Sequence, residues 1–444
     1  MQADPIGITL LVGTFFLLLL FRMPVAFALG IPTMLTAWYL DLPLMIVGQQ
    51  MVKGLNSFSL MAIPFFILAG QLMGVGGISQ RIIDMSNVFI GRIRGGLAMV
   101  NILASMFFGG ISGSSVADTS SIGSILIPLM KKAGYDDDFS VAVTITSSVQ
   151  GVLIPPSHNV IIYALAAGWV TVSIDGITKQ FSLSIGKLFL AGVVPGVFLG
   201  VMLMIISYVI SVKRDYRREP PINFKEGIRR VAGGFFGVMT AVIIIGGVIS
   251  GTFTATESAA IAVAYAFLVT WLIYHEISWT NLKSVLYESL KTLAIVAALI
   301  TTSSAYGYMM TRLDIPRIVT ETLLQLTDTP FLIFFIVNII LLFLGMIMDM
   351  APLILITTPI LLPVVANFGM EPHHFGIVMM LNLGIGLLTP PVGSTLFVGC
   401  AIGRIKIEDM VKPMLPFYIT MLITLMLITY IPEISLWLPN LLGK

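Results

Sequence analysis

The chain has 444 residues, of which 57% are hydrophobic and only 10% are charged, whereas a typical soluble domain has roughly 25% charged residues. This composition excludes a soluble globular protein and predicts an integral membrane protein. The net charge of +2 is spread over short clusters, which indicates membrane topology and not nucleic-acid binding. A single cysteine, Cys400, excludes an internal disulfide.

The N-terminal part of the chain is a series of short apolar segments. They cover Ile6–Phe21, Val25–Leu40 and about Ser59–Val75. The first lacks a basic start and a small-residue cleavage motif, so we expect no cleavable signal peptide. The next stretch, RIIDMSNVFIGRIRGG, has apolar residues at helical spacing, which predicts a helix in the membrane interface. Its three arginines place this side of the protein in the cytoplasm.

Residues 97–133 do not have the pattern of a complete crossing. Leu97–Phe108 and Ile122–Met130 are apolar but shorter than the roughly 20 residues that a span requires. Between them lies the small, polar tip GGISGSSVADTSS, and the exit is charged, with Lys131 and Lys132 followed by three aspartates at 136–138. This pattern predicts a re-entrant helical hairpin that returns to the cytoplasmic side.

Residues 137–168 predict a broken transmembrane helix. An apolar run enters the membrane, meets Pro155 and Pro156, and resumes at Val160. Two consecutive prolines remove two hydrogen-bond donors and disfavour the helical conformation of the residue before them. Lys187–Ser211 then crosses back, and the basic stretch KRDYRREPPINFKEGIRR predicts a cytoplasmic linker.

The second half of the chain repeats the first. Phe108–Gly168 aligns without a gap to Phe343–Gly403 at a constant offset of 235, and thirteen of the 61 aligned pairs are identical. Most of these are glycine or proline, the residues that dictate backbone path. The alignment predicts a second hairpin at 331–366 and a second broken helix at 373–403, interrupted at Pro390–Pro391.

We therefore divide the chain into two repeats, residues 1–220 and 221–444, each with scaffold helices, a hairpin and a broken helix. Each repeat makes five crossings in this interpretation, and an odd number turns the second repeat upside down in the membrane. The sequence thus predicts an all-α polytopic membrane protein with two inverted repeats, the signature of a secondary transporter.

Helices interrupted within a membrane can bind ions. The first half of such a helix ends in unpaired carbonyls, and the second half begins with unpaired amides. Carbonyls suit a small hard cation, and amides at the positive end of the helix dipole suit a carboxylate. Four such amino termini follow Pro156, Pro391 and the hairpin tips near Asp118 and Pro352. We expect all four to converge on one site near the midplane.

Polar side chains at the tips and breaks are the candidate substrate contacts. Each of them alone can be explained by helix capping or close packing, but irregular backbone at membrane depth favours a functional role for the set. For Asp118 and Asp349, capping and ligand contact are equally open. The candidates are Ser112, Ser114, Ser115, Asp118, Ser157, Asn159, Asp349 and Ser394.

The remaining titratable groups carry less functional weight. Glu257 stands three residues after Thr254, which predicts a capping box and not a proton relay. His373 and His374 are expected at the interface, and His158 has Gly393 as its repeat partner, which excludes a symmetric role. With so few buried acids, neutral oxygens form the predicted sites, which favours sodium over proton coupling.

Six stretches of the sequence resemble one known family. They are IPFFILAGQLMGVGGISQRIID, GGISGSSVADTSSIGSILIPLM, VLIPPS, TFTATESAA, LGMIMDMAPLILITTPILLPV and LTPPVG. They resemble the large membrane subunit, DctM type, of tripartite ATP-independent periplasmic (TRAP) transporters, and the resemblance covers nearly the whole chain. One departure is TATESAA, where the family commonly has TPTEAAA, so the start of that helix can differ without a change at the site.

The resemblance implies a protein of the bacterial cytoplasmic (inner) membrane that takes up an organic anion with sodium by an elevator mechanism. The family's substrates include C4-dicarboxylates, sialic acid and other sugar acids. Its members require a small membrane subunit (DctQ type) and a periplasmic substrate-binding protein (DctP type). An enzyme is not expected, because no cluster of His, Cys or paired acids has catalytic or metal-binding spacing.

The resemblance also implies two sodium sites, in each of which a hairpin glycine joins the broken helix. The first set is Gly345, Gly386, Thr389 and Val392. Its twin, obtained from the offset of 235, is Gly110, Gly151, Ile154 and Ser157. The twin rests on symmetry, and Ile154 offers only its carbonyl where Thr389 adds a hydroxyl.

Two other classes of transport protein remain open from the sequence. A self-sufficient sodium–dicarboxylate symporter shares the inverted architecture but needs no binding protein. A channel would show flux that does not depend on a sodium gradient.

Overall fold

The computed structural model describes residues 4–56, 58–168, 170–174, 177–180, 183–216, 218 and 221–442. The described residues are almost entirely helical, which confirms the predicted fold class. Six of their helices are long and apolar enough to cross a membrane, or eight if each of two bent pairs is one span. Arg217, Glu219 and Pro220 of the predicted basic linker, and Gly443 and Lys444 at the end of the predicted second repeat, lie outside the described residues.

Helices α1 to α5 lead into the first hairpin. They are α1 (Pro5–Leu20), α2 (Val25–Tyr39), α3 (Leu44–Leu55), α4 (Ala62–Val75) and α5 (Ile78–Ile90). Helix α1 contains a π-helical turn at Thr9–Gly13. Helices α4 and α5 meet at an angle of 71°, and Gly77 at the bend has a φ of +72°, a conformation that favours glycine. The helix predicted for the membrane interface therefore leaves the direction of the span before it.

The first hairpin and broken helix contain four helices. They are α6 (Gly96–Ser112), α7 (Ser115–Lys132), α8 (Asp137–Leu153) and α9 (His158–Gly168). Helices α8 and α9 are bent by 46° at the break, where the Pro155–Pro156 peptide bond is cis. The interruption therefore falls at the double proline, as the sequence predicts.

A short β-hairpin follows α9 and departs from the predicted all-α fold. Strand β1 (Thr171–Ile174) pairs antiparallel with β2 (Ile177–Gln180), with Thr171 opposite Gln180. No element was predicted for this segment from the sequence. Its alternation of β-branched and polar residues, TVSI and ITKQ, is a strand signal that was missed. Helix α10 (Ile185–Lys213) then runs for 29 residues.

The second half of the chain forms ten helices among the described residues. They are α11 (Phe224–Ile249), α12 (Ala255–Ile273), α13 (Trp279–Arg312), α14 (Ile315–Leu326), α15 (Pro330–Ile347), α16 (Met350–Asn367), α17 (Pro372–Gly386), α18 (Ser394–Gly403), α19 (Ile407–Tyr430) and α20 (Glu433–Leu442). Helix α19 begins at Ile407 and continues through Pro413 and Pro416. Helix α20 was not predicted from the sequence.

The helix boundaries of the two halves follow the offset of 235. Helix α7, shifted by this number, coincides with α16, and α6 coincides with α15 within one residue. Each half also packs on the hairpin of the other half: α9 of the first half packs on α16 of the second, and α18 of the second half packs on α7 of the first. The orientation of each half relative to the membrane is not tested, so the inversion of the repeats and their division at residue 220 stay predictions.

One side-chain contact joins each hairpin to its broken helix, and the broken-helix residue of the contact is at the equivalent position in the two halves. The hydroxyls of Ser105 in α6 and Ser147 in α8 are 3.1 Å apart. In the second half, the Asn382 side-chain amide in α17 donates to Asn338 Oδ1 in α15 at 2.7 Å. Ser147 and Asn382 are related by the offset of 235, and all four residues are buried. Because a buried hydrogen bond is costly to leave unmade, each hairpin is tied to the first half of its broken helix.

Two expectations about titratable residues have different outcomes. The capping box is confirmed: the Glu257 amide donates to Thr254 Oγ1 at 3.2 Å, and the Thr254 amide donates to Glu257 Oε2 at 2.8 Å. His374, in contrast, is buried, and its Nε2 lies 3.2 Å from the Thr429 carbonyl. Helix α19 covers this face of α17, so His374 packs inside the protein, and its position at the membrane interface stays a prediction.

An ion-paired cluster joins the end of α10 to the turn between α7 and α8. Arg214 Nη1 lies 2.7 Å from Asp136 Oδ2 and 3.1 Å from Asp138 Oδ1. The Tyr216 hydroxyl donates to Asp136 Oδ2 at 2.7 Å, and its ring packs on Tyr135 with centroids 4.4 Å apart. This cluster holds the charged exit of the first hairpin against the end of α10.

The cluster predicts a specific acid dependence of stability. The hydrogen bond from Tyr216 and the charge of Arg214 hold the pKa of Asp136 below its usual value. A carboxyl with a depressed folded-state pKa stabilises the protein above its unfolded-state pKa, and this contribution is lost as the pH falls through the folded-state pKa. Tyr216→Phe removes the largest cause, so we expect about 1 kcal/mol lower stability at neutral pH and acid unfolding that begins at a higher pH.

The measurement is the thermal unfolding midpoint between neutral pH and pH ~3, the range in which the carboxyl titrates. Tyr208→Phe is a matched control, because Tyr208 is an exposed tyrosine of α10. The same acid dependence in both variants would contradict the role given to Tyr216.

Candidate functional site

A cavity of about 790 Å³ lies where the two hairpin tips meet the broken helix of the first half. The amino-terminal ends of α7, α9 and α16 line it, and residues of α4, α5 and α13 form most of the remaining wall. The fourth amino terminus, that of α18, is linked to the cavity through Thr395. Three of the four amino termini predicted to converge thus line the cavity, and the fourth contacts one of them, while their position at the membrane midplane stays a prediction.

The first hairpin tip is shaped by glycine and capped by serine. Gly113 has a φ of +62°, and a Cβ at this position would lie 2.8 Å from the Pro156 carbonyl oxygen, so only glycine fits here. The Ser114 hydroxyl accepts a hydrogen bond from the Ala117 amide at 3.4 Å and caps α7. The tip of the first hairpin is therefore packed directly on the break between α8 and α9.

The second hairpin tip has the same arrangement with a charged cap. The Asp349 carboxylate accepts a hydrogen bond from the Met350 amide at 2.9 Å and caps α16. Asp349 and Ser114 are related by the offset of 235, so equivalent positions cap the outgoing limbs of both hairpins. Asp349 also lines the cavity and is exposed to it. Capping and ligand contact are therefore compatible at this residue.

A chain of hydroxyl groups connects three helices beside the cavity. The hydroxyls of Ser115 in α7 and Ser148 in α8 are 2.6 Å apart, and those of Ser115 and Thr395 in α18 are 3.2 Å apart. Ser148 and Thr395 are completely buried. These contacts fix the amino terminus of α18 against that of α7.

The residues of the first predicted sodium set lie close together. A Cβ on Gly386 would lie 2.6 Å from the backbone of Gly345, so these two glycines are in contact. The Val392 amide donates to the Met346 carbonyl at 3.0 Å, which brings the segment after the double proline to the same hairpin. The Thr389 hydroxyl donates to the Ile385 carbonyl at 2.9 Å, and the Tyr418 hydroxyl is a second polar neighbour. Hydroxyl and carbonyl oxygens are ligands suited to a hard cation.

The twin set is also brought together, with a shift of one residue. A Cβ on Gly110 would lie 3.1 Å from the Pro155 carbonyl and 3.2 Å from the Ile154 side chain. Gly151, however, meets Gly109 and not Gly110: a Cβ on Gly109 would lie 2.4 Å from the Gly151 Cα. Ser157 is buried, and its hydroxyl makes no hydrogen bond with the described residues. Symmetry alone therefore did not identify Gly109. Sodium binding at both sets stays a prediction.

The candidate substrate contacts divide into two groups. Five of them line the cavity: Ser112, Ser114, Ser115, Asn159 and Asp349. Ser157, Ser394 and Asp118 do not appear in its lining. Asp118 does not cap α7 either, because Ser114 does, and it is completely buried. Ser105 is its polar neighbour, but neither carboxylate oxygen makes a hydrogen bond of normal geometry with the described residues.

Sequence reasoning missed one wall of the cavity. Gln71 and Gly70 of α4 line it, as do Thr292 and Val296 of α13. A Cβ on Gly70 would lie 3.4 Å from the Ser112 Cα, so α4 packs on the hairpin tip. The available signal was Gln71 itself, a single amide within the apolar run IPFFILAGQLM.

A smaller cavity of about 430 Å³ adjoins the first, because Gly77 and Gln80 line both. Its other polar lining residues are Arg81, Asp84, Glu226, Arg229, Arg230 and Glu276. Arg81 lies 3.4 Å from Glu276, and Arg230 lies 3.0 Å from Glu226. The main cavity therefore lies next to the arginine-rich side that the sequence predicts to be cytoplasmic.

The described residues contain no group of three or more His, Cys, Asp or Glu side chains that could hold a metal ion. The donor set at the two glycine contacts is instead made of backbone and hydroxyl oxygens. Such a set suits an alkali or alkaline-earth cation better than a transition metal.

The chain matches the family model of the DctM component of tripartite ATP-independent periplasmic transporters over residues 12–434. It is 36% identical over 394 residues to the sialic acid TRAP transporter large permease protein SiaM of Vibrio cholerae, with 89% of each chain covered. It is 37% identical over 386 residues to the C4-dicarboxylate TRAP transporter large permease protein DctM of Pseudomonas aeruginosa, with 87% of each chain covered.

A solved structure with a similar fold is that of the YdaH transporter of Alcanivorax borkumensis. The TM-score is 0.63, 90% of each chain is covered, and 13% of the aligned residues are identical. At this identity the similarity concerns the fold alone.

Proposed function

Because this chain belongs to the DctM family of tripartite ATP-independent periplasmic transporters and is a multi-pass protein of the bacterial inner membrane, we propose that it drives uptake of an organic anion with sodium. The observation that carries the proposal is the cavity bordered by the amino termini of α7, α9 and α16. Helix amino termini favour an anion there through their free amides and their dipoles.

Sodium coupling is supported by the two glycine contacts beside the cavity. At each contact a hairpin meets the break of a helix through backbone alone, Gly345 on Gly386 and Gly109 on Gly151. A cation bound to carbonyl oxygens from both elements would hold the hairpin against the broken helix. Substrate held at the neighbouring amino termini would then be bound more tightly in the presence of sodium, and sodium more tightly with substrate, as linkage requires.

An elevator movement is the proposed mechanism. The Ser105–Ser147 and Asn338–Asn382 hydrogen bonds tie each hairpin to its broken helix, and the exchange of packing between α9, α16, α7 and α18 joins the two halves. These elements would move as one body with sodium and substrate, whereas α4 and α13 would belong to the static wall.

We propose two protein partners on the basis of the family: a small membrane subunit of DctQ type and a periplasmic substrate-binding protein of DctP type. The word "tripartite" in the family's name describes a three-component system. A self-sufficient sodium symporter is the alternative function, because its architecture could be the same.

Reconstitution in liposomes tests the function and the alternative together. We expect accumulation of an organic anion only when the vesicles contain this chain with its small subunit, the binding protein is outside, and a sodium gradient is present. Accumulation by this chain alone would establish the symporter and contradict the partner proposal. Flux that does not respond to the sodium gradient would contradict coupling.

Thr389→Ala tests the first sodium set. Loss of the hydroxyl ligand should raise the half-activating sodium concentration about tenfold, which corresponds to about 1.4 kcal/mol, while Thr389→Ser should retain most of the affinity. The measurement is initial uptake rate against sodium concentration.

Thr322→Ala is a matched control, because the Thr322 hydroxyl donates to the Ile318 carbonyl four residues earlier, just as Thr389 donates to Ile385, but at an exposed position. A sodium activation curve of Thr389→Ala that coincides with that of the control would count against the assigned site.

A further inference from the structure

The break between α17 and α18 leaves the last carbonyls of α17 without partners in a continuous helix. Two carbonyls at the break accept hydrogen bonds from amides of the broken helix itself. The Gly386 carbonyl accepts the Thr389 amide at 2.9 Å. The Leu387 carbonyl accepts the Thr395 amide at 3.2 Å. The next carbonyl along the chain, that of Leu388, is held by a different helix.

The Leu388 carbonyl accepts a hydrogen bond from the Tyr418 hydroxyl of α19. The same hydroxyl has Thr389 as a polar neighbour. Tyr418 is half-buried. One side chain of α19 therefore contacts the break at two consecutive residues, and the second of them, Thr389, belongs to the first predicted sodium set.

This contact has no counterpart at the equivalent position of the first half. The offset of 235 relates Tyr418 to Leu183, which has no hydroxyl, and Leu388 to Leu153. The backbone of Gly192 in α10 packs on the Leu153 carbonyl instead, because a Cβ on Gly192 would overlap the carbonyl oxygen. The tyrosine contact is thus specific to the break that carries Thr389.

Helix α19 is also joined to the hairpin and the broken helix at its carboxyl-terminal end. The Asn338 side-chain amide in α15 donates to Thr429 Oγ1 at 3.1 Å, and His374 Nε2 in α17 lies 3.2 Å from the Thr429 carbonyl. All three residues are buried. Tyr418 is therefore on a helix that is fixed to the elements carrying the first sodium set.

A hydrogen bond to the Leu388 carbonyl orients more than one atom. The peptide group is planar, so the direction of this carbonyl sets the plane of the peptide that leads into Thr389. A carbonyl oxygen has two lone pairs, and the Tyr418 hydroxyl occupies one of them. Groups that orient metal ligands in this way typically change metal affinity by about 10–100-fold when they are removed.

Resting on the proposed function, we propose that Tyr418 is a positioning residue of the first sodium set. Its hydroxyl holds the Leu388 carbonyl and the Thr389 hydroxyl in the orientation that binds the cation. Because Tyr418 acts through these two groups, its loss weakens sodium binding and leaves the substrate contacts and the movement intact.

Tyr418→Phe tests the proposal, because it removes the hydroxyl and keeps the ring. In the complex of this chain with its small membrane subunit, we expect the half-activating sodium concentration for uptake to rise about tenfold, while the rate at saturating sodium stays within about twofold of wild type. A maximal rate that falls at an unchanged half-activating concentration would assign Tyr418 to another step and overturn the proposal.

A second measurement does not require transport. Sodium chloride replaces choline chloride at constant ionic strength, and the thermal unfolding midpoint of the purified complex is followed. The sodium concentration that gives a fixed rise of the midpoint should be about tenfold higher for Tyr418→Phe than for wild type. Equal sodium concentrations for the two proteins would overturn the proposal.

Tyr430→Phe is the matched control. The Tyr430 hydroxyl, in the same helix, also donates to a backbone carbonyl, that of Phe331 at 2.9 Å, but away from the break. Its sodium activation curve should coincide with that of wild type. If the curves of the two phenylalanine variants are the same, Tyr418 makes an ordinary helix contact and the proposal is wrong.

The double variant with Thr389→Ala shows whether both residues act at one site. Thr389→Ala removes a group that Tyr418 orients, so the double variant should raise the half-activating concentration by less than the product of the single effects. An effect equal to the product would contradict the shared site. Sodium-independent uptake by the wild-type complex would overturn the proposed function together with this role, whereas sodium-dependent uptake with an unchanged Tyr418→Phe curve would overturn the role alone.

Discussion

Gly386→Ala is expected to reduce sodium-driven uptake by more than tenfold. A Cβ at this position would lie 2.6 Å from both the Cα and the carbonyl carbon of Gly345, and 2.9 Å from its carbonyl oxygen. These are backbone atoms, which cannot turn aside as the end of a side chain can, so the hairpin must move away from the broken helix. Overpacking of this kind costs about 1–3 kcal/mol and displaces the carbonyl groups proposed to bind sodium. The measurement is uptake per amount of folded, monodisperse complex.

Gly246→Ala is the matched control for this substitution. Gly246 lies inside α11, and a Cβ there meets nothing within 4 Å, so this variant should retain normal uptake and stability. If Gly386→Ala prevents folding, sodium protection against proteolysis in Gly345→Ala provides a second readout, because its Cβ would be less crowded, at 3.2 Å from the Gly386 Cα. Normal sodium activation in Gly386→Ala would rule out the glycine contact as part of the ion site.

The sequence predicted the irregular parts of the fold better than the regular ones. Proline and glycine restrict the backbone locally, so the breaks at Pro155–Pro156 and Pro390–Pro391 and the turn at Gly113 follow from residue type alone. The boundaries of uniformly apolar helices depend instead on what they pack against. Helix α13, for example, runs without interruption for 34 residues, from Trp279 to Arg312.

The candidate site was predictable only where the repeat identified it. Ser114, Ser115, Asn159 and Asp349 lie at tips and breaks, and all of them line the cavity. Gln71 and Thr292 lie in continuous helices, α4 and α13, so no local signal distinguishes them from other polar residues in apolar segments. Helix packing decides which residues face the cavity. Gly109, and not Gly110, contacts Gly151, so the offset of 235 between the repeats predicts this contact only to within one residue.

Asp118→Asn is expected to raise the thermal unfolding midpoint by a few °C and to lower uptake by more than tenfold. Asp118 is completely buried in α7, neither carboxylate oxygen makes a hydrogen bond of normal geometry, and no ion pair includes it among the described residues. Burying a carboxyl group beside Ser105 costs free energy, because the group must either stay charged in apolar surroundings or take up a proton to avoid the charge. Asparagine removes this cost at nearly constant volume. Residues that destabilise a fold in this way are typical of functional sites. The measurements are thermal unfolding in sodium-free buffer and sodium-driven uptake by the same preparation.

Asp328→Asn serves as the control, since Asp328 is exposed and lies in the turn between α14 and α15, where the loss of one carboxylate charge should change neither quantity. A lower midpoint for Asp118→Asn would mean that the carboxylate stabilises the fold through a partner. A higher midpoint with unchanged uptake would mean that the charge has no role in transport. The two measurements together therefore distinguish an acid that stabilises the fold from an acid that destabilises the fold but is needed for transport. Only an acid needed for transport would explain why Asp118 lies behind the first hairpin tip without lining the cavity.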